Sequence, residues 1–476
     1  MRDRQSRSTG SSNGAKPVSD ALADGVDSAL RASSNGADRI VQVSVPAPDA
    51  FDPIAWIRAQ DHDEAVFWSA REHEDVAAGV GAADVVAGTE SAMDAQTLHG
   101  QMNRRLSSAQ GPVRYYGGLR FDAWHSQAAD ASDRWQPFGT YRFVLPRFEV
   151  RRTADGTSLI CNLVCPRDRS DREALLDAVR TLAVPSCNQM SPVPRPLGRT
   201  DMPEKARWTE MVCWALDAIR DNALEKVVLA RRVAIDFGAP VDPFLILGHL
   251  KEATPGCFHF AVQPDPHHAF IGASPERLFR RNQERVVSEA VAGTRARGET
   301  EDADAALRSE LMNSPKERRE HAFVQRAIRT ALEDVCTSVE GPETPTDFAL
   351  ARGRHLHAAL SGDLRSGTST ADLLRSLHPT PAVGGVPSDT ARTAIRRQEP
   401  FDRGWYAGPV GWMGREEAEF AVAIRSGLVH ASQLALYSGA GLVEGSVPER
   451  EWEEIEQKIG DFAAILGIES PSVVSE

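Results

Sequence analysis

Two carboxylate pairs dominate the chemistry this sequence can offer: Glu317 and Glu320 in KERREH, and Glu451 and Glu454 in EREWEEIEQK. A spacing of three sets each pair on one helix face. Two such faces brought together make an all-oxygen site suited to a hard divalent cation such as Mg²⁺. The competing reading is a pair of solvated salt-bridge ladders with Arg318, Arg319, Arg450 and Lys458. Lys226, in LEKVVLAR, is the only cation of an apolar stretch until Arg231. Turned inward, an ammonium there is driven toward its neutral form and can act as a general base; turned outward, it is an ordinary solvated lysine at a strand start. Glu276, in FIGASPERLFRR, follows a Gly-Ala-Ser-Pro turn. Apolar surroundings would keep its carboxyl protonated as an acid, whereas capping the turn or pairing with Arg280 is the plainer role.

Three glycine-rich turns, VAGTRARG at 291–298, AVGGVPS at 382–388 and YSGAGLVEG at 437–445, let backbone amides approach a carboxylate closely. None is a phosphate loop, since no Gly-Lys-Ser/Thr follows. His355 and His357, in RHLHAAL, share one face of a strand but have no third ligand nearby in sequence. Cys161 and Cys165 also share a strand face, and with the other four cysteines they read as reduced core residues.

The elements that must position these groups follow from pattern. Residues 1–45, rich in Ser, Gly and Asp with SSNGA twice, read as a disordered low-complexity tail. Residues 46–165 are strand-rich, residues 166–206 form a Pro- and Ser-rich linker, and 207–470 make a denser half. That half opens with a helix from about Pro203 to Asn222 and the strand LEKVVLARRVAIDF. FIGASPERLFRR and AEFAVAIRSGLV each read as one strand, Ala303 to Val335 as one long helix, and Pro448 to Leu466 as the last helix. Hairpin-like strand pairs outnumber strand–helix–strand units, so a mixed, largely antiparallel sheet is expected.

The net charge of −13 argues against bulk attraction to nucleic acid or anionic lipid, so an anionic substrate must be held by local cations. No membrane span or secretory signal is evident, which points to the cytoplasm. Nothing demands a partner chain, and a monomer is expected.

In chain order, LEKVVLARR, FIGASPERLF, EAVAGTRARG, SPKERREHAFV, LHPTPAVGGVP, EPFDRGWYAGPVGW, AVAIRS and YSGAGLVEGSVPEREWEEIEQK resemble the motifs of the chorismate-utilising enzymes, and within them of isochorismate synthases. The resemblance implies one α/β (α+β) catalytic domain over residues 46–475, with two mostly antiparallel sheets packed as a sandwich and helices outside. It implies a reversible, Mg²⁺-dependent conversion of chorismate to isochorismate, a product used in siderophore, menaquinone or salicylate synthesis. By the same resemblance Lys226 is the base and Glu276 the acid. Glu320 and Glu454 ligate the metal directly, and Glu317 and Glu451 do so through waters. Arg425 and Lys458 hold substrate carboxylates with the turns at Gly293, Thr294, Gly439 and Gly441, while His355, Ala382 and Tyr437 complete the pocket. Lyase members typically carry Thr at the position of Ala382, which favours stopping at isochorismate over a salicylate synthase reading. A catalytically silent binding subunit is the alternative from another class. One departure is Ala358, where the family segment has Thr or Ser, removing a hydroxyl expected near the ring.

Overall fold

In the computed structural model, which describes residues 17–467 except 34–35, 37, 49–50, 73–74, 90–92, 126–133, 184–190 and 352, strands Tyr141–Thr153 and its neighbours form the pivot of one large sheet. Tyr141–Thr153 pairs with Val76–Gly88 along one edge. Along the other it pairs with Tyr115–Leu119 near its start and Gly156–Cys165 near its end. Two arms leave this pivot. The first runs from Val76–Gly88 through Ala65–Ser69, Phe258–Asp265, His268–Ser274, Ser426–His430 and Gln433–Leu442 to Lys226–Asp236. Gly198–Met202 and Gly385–Val386 edge that last strand. The second arm runs from Tyr115–Leu119 through Pro409–Met413, Glu417–Val422, Arg277–Asn282 and Arg285–Ala296 to Gly353–Leu364. Every pairing between these strands is antiparallel, and the two expected layers are arms of one continuous sheet.

Two strands expected to be single are each broken, and the breaks are where the chain passes from one arm to the other. FIGASPERLFRR divides into His268–Ser274 and Arg277–Asn282, because Pro275 has no N–H to give a ladder. AEFAVAIRSGLV divides into Glu417–Val422 and Ser426–His430, with Arg425 at a left-handed φ of 47°. The Glu276 carbonyl accepts from Val422 N at 3.1 Å and the Ser274 hydroxyl donates to Val422 O at 2.6 Å, so the crossings lie side by side.

The expected long helix is likewise two, Glu301–Asn313 and Pro315–Val335. Ser314 caps the second by accepting from Glu317 N, and Pro315 takes the first-turn position where its missing N–H costs nothing. Helix Pro448–Leu466 also starts with proline. One carboxylate of each pair, Glu317 and Glu451, therefore stands in the first turn of its helix, at the positive end of the helix dipole, with Glu320 and Glu454 one turn further on. Val324, Ile328 and Leu332 bury the C-terminal half of Pro315–Val335, each worth roughly 1.5–3 kcal/mol.

The disordered-tail expectation for residues 1–45 is corrected for residues 18–32 and 39–45. Helix Val18–Ala32 buries Leu22, Val26 and Leu30 at intervals of four, and strand Arg39–Ala47 pairs along Gly156–Cys165. Bulk composition hid that apolar stripe; residues 1–16 lie outside the described residues. The linker is corrected too, since helix Arg172–Thr181 packs on Val18–Ala32 and Gly198–Met202 joins the sheet. No helix among the described residues is long and apolar enough to cross a membrane.

Candidate active site

A cleft with about 720 Å³ of open space lies where the arm crossings meet strands Lys226–Asp236, Arg285–Ala296 and Gln433–Leu442. Helices Pro315–Val335 and Pro448–Leu466 bring Glu320, Glu454 and Lys458 to it. Glu276 and Arg425 reach it from the two adjacent crossings, and Gly293, Thr294, His355, Ala382, Gly439 and Gly441 complete the predicted part of its wall.

Lys226 points inward and is fully buried, with Nζ donating to Glu320 Oε1 at 2.9 Å. Gly441 beside it leaves room for the pair: a Cβ there would stand 2.4 Å from Glu320 Oε1 and 3.1 Å from Lys226 Cε, so the carboxylate would have to move. Gly293 has φ 73°, and a Cβ on it would lie 3.0 Å from Glu317 Oε2. Glu276 is 3% exposed and its Oε1 has no hydrogen-bond partner. Burial, aided by the Glu289 charge and opposed by Lys226 and Lys458, pushes its pKa up to about 8. At neutral pH it is therefore a protonated acid.

The other carboxylates divide by their partners. Burial and neighbouring Glu320 raise the pKa of Glu317, against Arg295, which donates to its Oε1 at 2.9 Å. Burial and Glu454 likewise raise Glu451, against Lys316 at 3.0 Å; its Oε2 is buried without a hydrogen-bond partner. For Glu454 burial works against the charge, but the Lys458 ammonium at 2.7 Å outweighs it and holds the carboxyl below its ordinary value. Four carboxylates on the first two turns of two helices, two of them raised by burial and a like-charged neighbour and one with an unused oxygen, are a donor set that fits a hard divalent cation. Among the described residues no three such side chains already converge on one point, because Glu320 and Glu454 are turned onto lysines.

His355 is neutral: burial, with Arg425 nearby, lowers its pKa to about 3. Its Nδ1 lies 3.0 Å from Gly293 O, which requires a proton there, leaving Nε2 to accept from Arg425 at 3.2 Å. Lys458 donates to Gly439 O at 2.9 Å.

Three expectations change. Tyr437 does not line the cleft; it stacks behind Tyr406, centroids 5.4 Å apart, and Tyr406 forms the wall. Ala358 lies in the core opposite Ala290, three residues from His355 and so on the other strand face, and does not line the cleft. His357 sits 3.5 Å from Glu289 and, among the described residues, joins no cluster of metal-binding side chains. Tyr406 and Ser438 line the cleft unpredicted, as do apolar Val228, Val291 and Ile424. Tyr406 lay within EPFDRGWYAGPVGW, but a tyrosine among aromatic residues reads as core. Lys316 and Arg295, which hold Glu451 and Glu317, were likewise inside quoted motifs.

The model of the chorismate binding enzyme family matches residues 27–467. The chain belongs to that family. The chorismate binding enzymes it resembles include a chloroplastic isochorismate synthase of Catharanthus roseus, 37% identical over 78% of this chain and 65% of that one. It is 34% identical to isochorismate synthase 2 of Arabidopsis thaliana over 90% of this chain and 81% of that one. Among solved structures, MenF, the menaquinone-specific isochorismate synthase of Escherichia coli, superposes with a TM-score of 0.79 at 27% identity, covering 94% of this chain and 99% of that one.

Proposed function

We propose that this protein is an isochorismate synthase that interconverts chorismate and isochorismate with Mg²⁺. The observation that carries the reading is a fully buried lysine bonded to Glu320 of the cleft wall, together with a buried, protonated glutamic acid in that same wall. Lys226 takes a proton from water as the water oxygen bonds to one end of the ring diene. The double bonds shift, the C–O bond at the other end breaks, and Glu276 gives its proton to the departing hydroxyl, which leaves as water. Atoms balance as one water in and one water out, and the same two groups serve the reverse reaction with roles exchanged.

Chorismate is a dianion, so its approach needs positive charge. Arg425 and Lys458 supply guanidinium and ammonium, and the backbone at Gly293, Thr294, Gly439 and Gly441 gives room for carboxylates to come close. Neutral His355 orients Arg425 without adding charge. Mg²⁺, held by Glu320 and Glu454 with Glu317 and Glu451 beside them, would neutralise a substrate carboxylate and withdraw electron density from the ring. Ala382 leaves the wall without the hydroxyl that lyase members carry, which supports release of isochorismate intact.

The test is to incubate purified protein with chorismate and Mg²⁺ and separate the products. Isochorismate without pyruvate is expected, and Lys226→Ala, folded by circular dichroism, should lower its formation about 10²- to 10⁴-fold. Stoichiometric pyruvate would establish a salicylate synthase instead; no turnover by wild type would establish a binding subunit.

A further inference from the structure

The turn that presents Glu276 is gripped on both sides by groups the reaction above leaves unused. Arg71, just beyond strand Ala65–Ser69, donates to the Pro275 carbonyl at 3.2 Å and, through both terminal nitrogens, to the two oxygens of Glu289 at 2.8 Å each. On the other side of the acid, Arg277 donates to Glu289 at 2.6 Å, to Glu419 at 3.0 Å and to Glu72 at 2.9 Å. Both guanidiniums lie over the Phe258 ring, 5.6 and 5.2 Å from its centroid, which fixes their planes. Glu289 is 3% exposed, and it belongs to strand Arg285–Ala296, which also supplies the cleft wall at Val291–Thr294. One carboxylate thus ties the residue before the acid and the residue after it to both arms of the sheet.

We propose that Glu289, held by Arg71 and Arg277, is a positioning residue for Glu276: it fixes the crossing that presents the acid and keeps a permanent negative charge behind it. The inference rests on the reading of Glu276 as the general acid. Burial opposes the Glu289 charge, but hydrogen bonds from His357 and Arg71, with the Arg277 charge, outweigh it and bring its pKa down to about 2. The carboxylate therefore stays ionised throughout the working range. The groups that act on Glu276 are Lys226, from the first arm, and Lys458, from the last helix, which favour its ionised form, and Glu289, which with burial favours the protonated one. Around the clamp, Glu72 and Glu419 balance Arg277, with Arg280 beside Glu419, and His357 faces Glu289. Burial does most to keep the proton on Glu276, and Glu289 is the charge in this set that adds to it against the two lysines.

The experiment compares wild type, Glu289→Gln and Arg71→Met, each confirmed folded by thermal unfolding, in kcat and KM for isochorismate formation across neutral and alkaline pH at saturating Mg²⁺. In parallel, infrared spectra follow the protonated carboxyl band assigned by its loss in Glu276→Gln. In Glu289→Gln the alkaline limb of kcat and the infrared titration should both move down by about one pH unit, with KM within about twofold. Arg71→Met keeps the Glu289 charge, so its limb should not move down, while its kcat falls about tenfold through the loosened turn. A folded Glu289→Gln with both titrations unmoved overturns the proposal. If that variant does not fold, an unchanged kcat in Arg71→Met overturns it. The infrared titration needs no substrate, so wild type failing to make isochorismate would refute the functional reading while the clamp is still decided.

Discussion

Replacing Glu276 with glutamine should make the protein more stable while removing its activity, and the gain should grow with pH. The Glu276 carboxyl has a pKa of about 8 in the folded chain against an ordinary 4.5. The folded state therefore holds this proton more tightly than the unfolded chain does. Below about pH 4.5 both states are protonated and the group costs nothing. As pH rises toward 8 the unfolded chain ionises first, and folding stability falls; above 8 the full cost is present. At about 1.36 kcal/mol per pH unit, the gap corresponds to an order-of-magnitude cost of about 3 kcal/mol at pH 7 and about 5 kcal/mol well above pH 8. Glutamine matches the protonated acid in shape and leaves the same unpartnered Oε1 position, so it avoids the ionisation cost without opening a cavity. Urea unfolding of both proteins in Mg²⁺-free buffer at a series of pH values measures this directly. The two should coincide near pH 4.5 and diverge as pH rises, with equal slopes against urea. Isochorismate formation should fall about 10²- to 10⁴-fold in the variant. A stability difference that does not change with pH, or a variant less stable at pH 8 than at pH 5 relative to wild type, would refute the assignment of a buried, proton-bearing Glu276.

The other predictions concern the remaining walls of the cleft. Gly441→Ala puts a methyl 2.4 Å from Glu320 Oε1; it should cost about 1–3 kcal/mol and weaken Mg²⁺ dependence of the rate, read by titrating Mg²⁺ against activity. An unchanged titration would mean Glu320 moves freely. Ala382→Thr should introduce some pyruvate release, followed with a coupled dehydrogenase; a variant making only isochorismate would show that this wall does not discriminate. Chelation should abolish turnover and Mg²⁺ should restore it, while added NaCl at fixed Mg²⁺ has a smaller effect, because the attraction comes from local groups and not from the net charge of −13.

Much of the site's chemistry is readable in the chain itself. S-P-K-E-R-R-E and V-P-E-R-E-W-E-E announce helix starts carrying paired carboxylates, since proline at the first position and a three-residue spacing act within one or two turns. The glycine turns and the types of Lys226, Glu276 and Arg425 are equally local. Other features were hidden by averaging: helix Val18–Ala32 has Leu22, Val26 and Leu30 set in a polar composition that reads as disorder when taken in bulk.

Tertiary structure alone decided which way these groups face and what stands next to them. Lys226 is buried with Glu320 of helix Pro315–Val335 on its ammonium and Gly441 beside its stem, segments far away in sequence. Tyr406 displaces Tyr437 from the wall because one ring stacks in front of the other. The two strands that pattern reads as continuous are broken side by side, and those breaks deliver Glu276 and Arg425 to one cleft, with Arg71 holding the turn from a distant part of the chain. Periodicity reports the face of an element. It does not report where an element crosses between arms, because that depends on the packing of partners far apart in the sequence.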